Sequence, residues 1–314
     1  MNSSERVLRV EHLTRETDSI ISFTLVDPQG GELPAWEPGA HIDVVVPGLG
    51  TRQYSLCGDP RNRHSYRIGV LLEPGGRGGS RYLHTEVRVG DLLTCRGPRN
   101  NFMLDEAKHY VFLAGGIGVT PILPMVVEAQ RRGASWTMVY GARTRSAMAF
   151  VSELHERVQL MPEDELGRID VGKALADLPE GSLVYCCGPA AMIEAVRGHR
   201  SDWPDPDTVR FELFSAPVQD TATETDRAFE VELVHTGATF TVQPGESILQ
   251  KAMDAGADIG FDCQEGICGS CETPILEGVA DHRDQVLTAK EKVANTCMMI
   301  CVSRAASPRI VLDL

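Results

Sequence analysis

Cys263, Cys268 and Cys271 stand in one short stretch, and Cys301 follows after a further 29 residues. Thiolates are soft ligands for iron. The order Cys-x4-Cys-x2-Cys, then a distant fourth cysteine, is the spacing of a plant-type [2Fe–2S] centre, with three ligands from one loop and one from elsewhere. Gly266, Gly269 and Ser270 lie between these cysteines. Small residues there let backbone N–H groups approach the sulfurs and tune the reduction potential. Cys297 competes for the fourth position with a gap of 25 residues. The apolar string Met298–Val302 reads as a buried strand presenting Cys301, so Cys301 is the expected ligand and Cys297 a structural thiol. Structural zinc is the alternative, but zinc favours paired Cys-x2–4-Cys knuckles, and one is present here.

Three further stretches could do chemistry. Gly115-Gly116-Ile117-Gly118-Val119-Thr120-Pro121 follows an apolar strand and precedes a helical pattern. Its amides and the helix start could take a pyrophosphate, although Pro121 stands where a Gly-x-Gly-x-x-Gly fingerprint has its last glycine. Read alone, a plain tight turn explains it as well. Cys187-Gly188-Pro189 closes another strand, where open α/β sheets bind ligands. Arg52-Gln53-Tyr54-Ser55 combines a guanidinium, a ring and a hydroxyl, with Arg52 and Tyr54 on one face if the segment is a strand. Gly75–Arg81 is a glycine-rich loop with two arginines that could cradle a phosphate.

The elements that must position these residues fall into three parts. Arg6–Val10, Ser19–Val26, His41–Val46 and Tyr66–Leu72 read as short strands separated by Pro and Gly turns, which suggests an antiparallel barrel. From about residue 109 the period changes. Strands at Tyr110–Ala114, Trp136–Tyr140, Leu183–Cys187 and Val209–Phe214 alternate with helical stretches at Pro121–Arg132, Ala147–Arg157 and Ala190–His199, the pattern of a parallel α/β sheet. Residues 215–227 are polar and aperiodic, a linker. Phe229–Val234 then reads as a strand and Glu246–Ala255 as a short helix. The expected domains are therefore 1–105, 106–214 and 228–314.

Composition narrows the function. The 314 residues are 42% hydrophobic and 24% charged, ordinary for a folded chain. The net charge of −14 argues against nucleic acid or an anionic membrane as partner. Nine cysteines, unevenly placed, do not make a secreted disulfide framework. No apolar leader follows Met1, so a cytoplasmic location is expected. The run Tyr110–Ala129 is long enough to span a bilayer, but its glycines and prolines read better as strand, turn and helix.

In combination these motifs resemble the phthalate dioxygenase reductase family, flavoproteins of the ferredoxin–NADP reductase-like group, to which vanillate demethylase reductases are also similar. Arg52-x-Tyr54-Ser55, Gly78-Gly79-Ser80, Gly115–Pro121, Cys187-Gly188-Pro189, Phe211-Glu212-x-Phe214, the cysteine cluster and Cys301-Val302-Ser303-Arg304-Ala305 occur in the family's order along nearly the whole chain. The resemblance implies an antiparallel β-barrel flavin domain, an α/β parallel-sheet nucleotide domain and a C-terminal α+β plant-type ferredoxin domain. It implies that Arg52, Tyr54 and Ser55 line FMN, with Gly79 and Ser80 at its phosphate. Gly116, Gly118, Thr120 and Pro121 would border NADH, with Cys187 and Gly188 near the nicotinamide, and Phe214 would stack near the flavin. Where some relatives carry an acidic residue after the second α/β strand, this chain has Arg143-Thr144, and an arginine there could accept a 2′-phosphate.

Electron counting then orders the path. NADH yields two electrons as hydride, a [2Fe–2S] cluster accepts one, and a flavin can pass the pair on singly. The expected route is NADH to FMN to cluster to a separate Rieske-type oxygenase, with no catalytic acid or base named and the chain acting as a monomer. Thirteen acidic and 6 basic residues leave Ala228–Leu314 at −7, which suits an acidic docking face or simple solubility. The alternative reading is an iron–sulfur redox sensor without flavin turnover.

Overall fold

The computed structural model describes residues 5–199, 208–214, 226–261 and 263–314. The chain divides into two compact units, 1–213 and 214–314. The expected linker lies, over 215–225, outside the described residues.

Six antiparallel strands open the first unit: β1 (Arg6–Arg15), β2 (Ile20–Val26), β3 (Ala40–Val46), β4 (Gly50–Ser55), β5 (Ser65–Leu71) and β6 (Leu92–Asn100). Their order is β4-β3-β6-β1-β2-β5. A bridge between Leu56 and Ile68 joins the two outer strands and closes the sheet into a barrel. Phe23, Leu25, Ile42, Val44, Ile68 and Val70 fill its interior, from alternate positions on each strand. Strand β4 lacks apolar alternation, since Thr51-Arg52-Gln53 is polar, and in β6 the alternation of buried Leu93 and Cys95 is cut short at Gly97-Pro98. Both form because β3 lies between them and pairs with each. The glycine-rich stretch expected as a loop instead turns at Gly78, with φ +84°, and becomes helix α1 (Gly79–Thr85).

The rest of the unit is a parallel sheet: β7 (His109–Gly115), α2 (Val119–Arg131), β8 (Ser135–Ala142), β9 (Gln159–Pro162), α3 (Glu163–Leu166), α4 (Val171–Ala174), β10 (Ser182–Cys187), α5 (Ala190–Gly198) and β11 (Val209–Glu212). The order β11-β10-β7-β8-β9 places β7 at the centre. The chain leaves β7 in one direction and returns to β10 on its other side. That reversal opens a crevice at the carboxyl ends of β7 and β10. The apolar run Tyr110–Ala129, broken by Glu128, is thus strand, turn and helix, and among the described residues no helix is long and apolar enough to cross a membrane.

One expected helix does not form. Across Ala147–Arg157 the chain makes two single turns, at Arg145–Ala147 and Val151–Glu153. Met148, Ala149 and Phe150 are all buried, and Phe150 takes φ +60°, which stops helix propagation. Its ring packs over Gly69 and under the Arg67 guanidinium, 5.1 Å from the ring centre. Arg67 also holds Glu153 through two bonds of 2.9 and 2.6 Å. Ile20, Cys57, Phe102 and Leu104 continue into the core formed by Tyr110, Phe112 and Tyr185, so barrel and sheet share one apolar interior.

The second unit contains β12 (Phe229–Leu233), β13 (Thr239–Val242), α6 (Ile248–Asp254), β14 (Glu272–Glu277), β15 (Ala280–Asp281), α7 (Ala289–Ala294), β16 (Cys297–Met299), β17 (Arg304–Ala305) and β18 (Arg309–Leu312). Its main sheet, β13-β12-β18-β14-β16, is mixed, with β12 and β18 parallel. Val231, Leu233, Ile248, Met298, Met299 and Ile310 form the core. The strand expected to carry Cys301 ends at Met299. The Ser303 amide bonds back to the Met299 carbonyl at 3.0 Å, so Cys301 sits in a turn.

A methyl group at Gly118 would stand 2.2 Å from the Cys187 carbonyl oxygen. Gly118→Ala should therefore destabilise the first unit by about 1–3 kcal/mol, as overpacked interiors do. The shift of its urea midpoint measures this, with Gly198→Ala, where a methyl meets open space, causing no loss.

Candidate functional site

In the first unit the structure gathers three of the motifs at the crevice. Gly116 has φ +55° and open space where a side chain would be. Gly118 passes against the Cys187 carbonyl, and a Cβ on Gly188 would lie 2.9 Å from the Gly115 Cα. The two loops thus touch backbone to backbone at the start of α2. A start of helix with free amides is the usual seat of a pyrophosphate. Thr120 is buried and its hydroxyl donates to the Ile117 carbonyl at 2.9 Å, which holds the turn. Pro121 occupies the first turn of α2, where an N–H is not needed.

On the barrel, Arg52, Tyr54 and Ser55 lie on β4, opposite Val44, Ile42 and His41 of β3. The Arg52 guanidinium lies over Gly79: a Cβ there would be 2.7 Å from its Nε. It donates to the carbonyls of Thr51, at 2.8 Å, and Arg77, at 3.3 Å. Ser80 accepts the Glu73 amide at 3.0 Å, leaving its hydroxyl proton to donate elsewhere. A cation, a hydroxyl and the amides of the first turn of α1 therefore meet at one place, a donor set that fits a phosphate. Burial pushes the Tyr54 hydroxyl well above the ordinary phenol range, with Arg52 opposing.

Glu212, read from sequence only as part of a motif, is a member of the site. It lies on β11 in register with Cys187 on β10. The Ser55 hydroxyl donates to its Oε2 at 3.1 Å, and the Cys187 thiol points at the same oxygen from 3.9 Å. Burial pushes the Glu212 carboxyl up to about 8, and Ser55 and Cys187 pull the other way. The Cys187 thiol is raised well above its usual value by burial and then by Glu212. An acid at the carboxyl end of a parallel strand, where open α/β sheets bind ligands, was the available signal. Phe214 is 43% exposed and begins the second unit.

In the second unit all four expected iron ligands are buried. Among the described residues no three His, Cys, Asp or Glu side chains converge as for a single metal ion. The thiols come instead in two hydrogen-bonded pairs, Cys263 with Cys268 and Cys271 with Cys301. Two irons with two protein thiolates each fit that arrangement. The Cys263 thiol holds Cys268 down to about 5, and Cys301 likewise lowers Cys271. Amides of Glu265 and Ile267 point at Cys263, and that of Gly266 at Cys301. Gly266 has φ +69° and no room for a side chain beside Val302 and Asp284. Asp284, fully buried, accepts the amides of Val286 and Leu287 at 3.1 and 2.8 Å, and the next amide, of Gln285, reaches the Gly266 carbonyl at 2.8 Å. Cys297 stands apart on β16 with Glu272 and Thr296 as neighbours, its thiol pushed up to about 11 by burial.

Glu212 yields a pH signature. Its carboxyl goes from an ordinary 4.5 to about 8 on folding, so the native state holds a proton that the unfolded chain releases. The stability this contributes is full below about 4.5 and is lost as pH rises through 8. Relative to Glu212→Gln, the wild-type first unit should lose urea resistance between pH 5 and 8 and level off above; parallel curves would show an ordinary carboxyl.

Comparisons with known proteins agree with this geometry. Residues 231–306 match the 2Fe-2S iron-sulfur cluster binding domain. The chain is 42% identical over 312 residues, 98% of it and 97% of the relative, to the phenoxybenzoate dioxygenase subunit beta of Ectopseudomonas oleovorans. It superposes with a TM-score of 0.92 and 42% identity on an intact type IV self-sufficient cytochrome P450 monooxygenase, with 99% of this chain covering 41% of that longer one. The solved phthalate dioxygenase reductase, described as a modular structure for electron transfer from pyridine nucleotides to [2Fe–2S], matches at 37% identity and a TM-score of 0.72, over 99% of this chain and 98% of its own. The chain belongs to the phthalate dioxygenase reductase family of oxidoreductases.

Proposed function

We propose that the chain is the reductase component of a Rieske-type oxygenase or demethylase system, taking electrons from NADH through FMN and a [2Fe–2S] cluster to a separate terminal oxygenase. The observation that carries this reading is the presence in one chain of a dinucleotide cradle, a phosphate-binding barrel strand and two pairs of buried thiols. When bound, the flavin accepts a hydride and releases its electrons singly, which neither partner does.

The residues have the following tasks in this proposal. Gly116, Gly118, Thr120 and Pro121 shape the turn that seats the dinucleotide phosphates. Cys187 and Gly188 wall the nicotinamide end. Arg52, Gly79 and Ser80 hold the flavin phosphate, and Tyr54 and Ser55 line the ring. Glu212, neutral below about pH 8, accepts the Ser55 hydroxyl on Oε2 and spares the apolar floor a buried anion. Cys263, Cys268, Cys271 and Cys301 hold the irons. The chain works as a monomer in the cytoplasm, since each unit has its own core and the cluster needs reduced thiols.

The first test is an anaerobic visible spectrum before and after one equivalent of NADH, with flavin and iron assayed on the same sample. One flavin and two irons per chain, both bleached, support the reading; iron without flavin supports the sensor alternative. Cys301→Ser should lose the normal cluster spectrum and keep flavin reduction, whereas Cys297→Ser should leave the spectrum unchanged. Arg52→Ala should weaken flavin retention by about 1.5–3 kcal/mol, the worth of a charge-assisted bond.

A second reading takes a haem protein as the acceptor. What favours it is the likeness to the self-sufficient P450, of which the chain spans less than half. Reoxidation of the NADH-reduced protein by a purified Rieske oxygenase, set against a ferric P450 haem domain, separates the two.

A further inference from the structure

Two local costs coincide where the barrel meets the sheet, and the reading above gives their residues no task. Phe150, buried, takes φ +60°, a region that bulky side chains rarely adopt. The Arg67 Nε, also buried, has no hydrogen-bond partner. A strained backbone and an orphan donor persist only where their surroundings hold them, and such outliers gather at functional sites. We propose that Arg67, Phe150 and Glu153 are positioning residues. They latch the barrel to the sheet and so align the nicotinamide with the flavin, which sets the rate of hydride transfer. That step carries two electrons and one proton together from NADH to the flavin and leaves NAD+. The proposal rests on the reductase reading above.

Placement is the first argument. Gly69, within β5, is where the barrel touches the phosphate turn. A Cβ on it would lie 2.8 Å from Thr120 Cγ2, 3.3 Å from Ile117 Cδ1 and 3.3 Å from Phe150 Cζ. Ile117 and Thr120 belong to the turn that seats the dinucleotide, and the Thr120 hydroxyl closes on the Ile117 carbonyl. Phe150 therefore presses on the same glycine as that turn. Strand β5 is also bridged, through Ile68 and Leu56, to the end of β4, which carries Tyr54 and Ser55. A displacement at Gly69 thus reaches both sides of the transfer within a few residues.

Fastening is the second. On the sheet side, the Ala149 amide donates to the buried Tyr140 hydroxyl at 3.0 Å. On the barrel side, Arg67 donates to both Glu153 carboxylate oxygens, at 2.9 and 2.6 Å, and to the Cys57 carbonyl at 3.0 Å. Its guanidinium covers the Phe150 ring, 5.1 Å from the centre. One planar cation, bonding in its plane and stacking on its face, so joins two barrel segments to the strained loop. A partly exposed ion pair adds little adhesion, which the apolar core shared by barrel and sheet already supplies. What a two-bond pair adds is a fixed geometry. Hydride transfer depends on geometry, since a misplacement of about 1 Å costs about 10²-fold.

The test uses the intact protein loaded with flavin and iron. Anaerobic rapid mixing with NADH reads three quantities: the limiting rate of flavin reduction, the NADH concentration at half-maximal rate, and the long-wavelength charge-transfer absorbance of a nicotinamide stacked on a flavin. Arg67→Met should lower the limiting rate by about 10- to 100-fold and weaken the absorbance, with the half-maximal concentration changed less than about 2-fold. Glu153→Gln should do the same to a smaller degree, and Arg67→Lys should recover part of the rate. Gly69→Ala, which pushes on the seam instead of loosening it, should show the same signature. Amide hydrogen exchange in Arg67→Met should quicken over residues 117–120 and 147–153 and match wild type elsewhere. Arg168→Met, which breaks an exposed pair with Glu163, should match wild type in every reading. If Arg67→Met does not retain its flavin, Glu153→Gln and Gly69→Ala decide the outcome. A limiting rate within about 2-fold of wild type in these variants, or a loss confined to the half-maximal concentration, overturns the proposal. No flavin reduction by the wild type at any NADH concentration would instead overturn the reductase reading, and this proposal with it.

Discussion

At Gly118 the backbone runs so close to the Cys187 carbonyl that only hydrogen fits between them. Much of the first unit follows from that contact. It locks the turn after β7 against the end of β10, and so sets the width of the crevice where the sheet reverses direction. Because β10 and β11 pair in parallel, fixing Cys187 also fixes Glu212 beside it. The barrel strand β4 then delivers the Ser55 hydroxyl to the same carboxyl. The reach is only 3.1 Å, and it depends on the shared core of Phe102, Leu104, Tyr110 and Tyr185 holding barrel and sheet together. One steric limit thus couples the nucleotide cradle to the buried acid.

The second unit solves a different problem. Four thiolates repel one another, and packing them needs charge-stabilising donors close by. Backbone amides of Glu265, Gly266 and Ile267 supply these because Gly266 adopts a conformation and a closeness to Asp284 that a side chain would forbid. Asp284 pins the adjoining turn by accepting the Val286 and Leu287 amides on its carboxylate. The fourth expected ligand sits in a turn rather than on a strand. A turn lets Cys301 face Cys271, while Cys297, on the strand itself, faces Glu272.

On the barrel, Arg52 spans the carbonyls of Thr51 and Arg77 above Gly79. Neutral carbonyls take these two bonds, so neither of them cancels the guanidinium's charge.

Local chemistry was legible along the chain. Cysteine spacing announced a two-iron centre because ligand geometry imposes spacing directly, and glycine turns after apolar strands marked the crevice because close approach demands glycine. The parallel strands were readable because burial on both faces leaves continuous apolar runs. What lacked a local signal was decided by packing. Strands β4 and β6 exist because β3 pairs with both, against a polar or broken pattern of their own. The segment 147–157 gave up its helix because Phe150 is drawn under Arg67 and over Gly69. Glu212 became a raised acid, and Cys301 came to sit in a turn rather than on a strand, through residues far away in sequence. A carboxyl's proton affinity and a thiol's neighbour depend on what surrounds them in space, and the tertiary fold alone sets those surroundings.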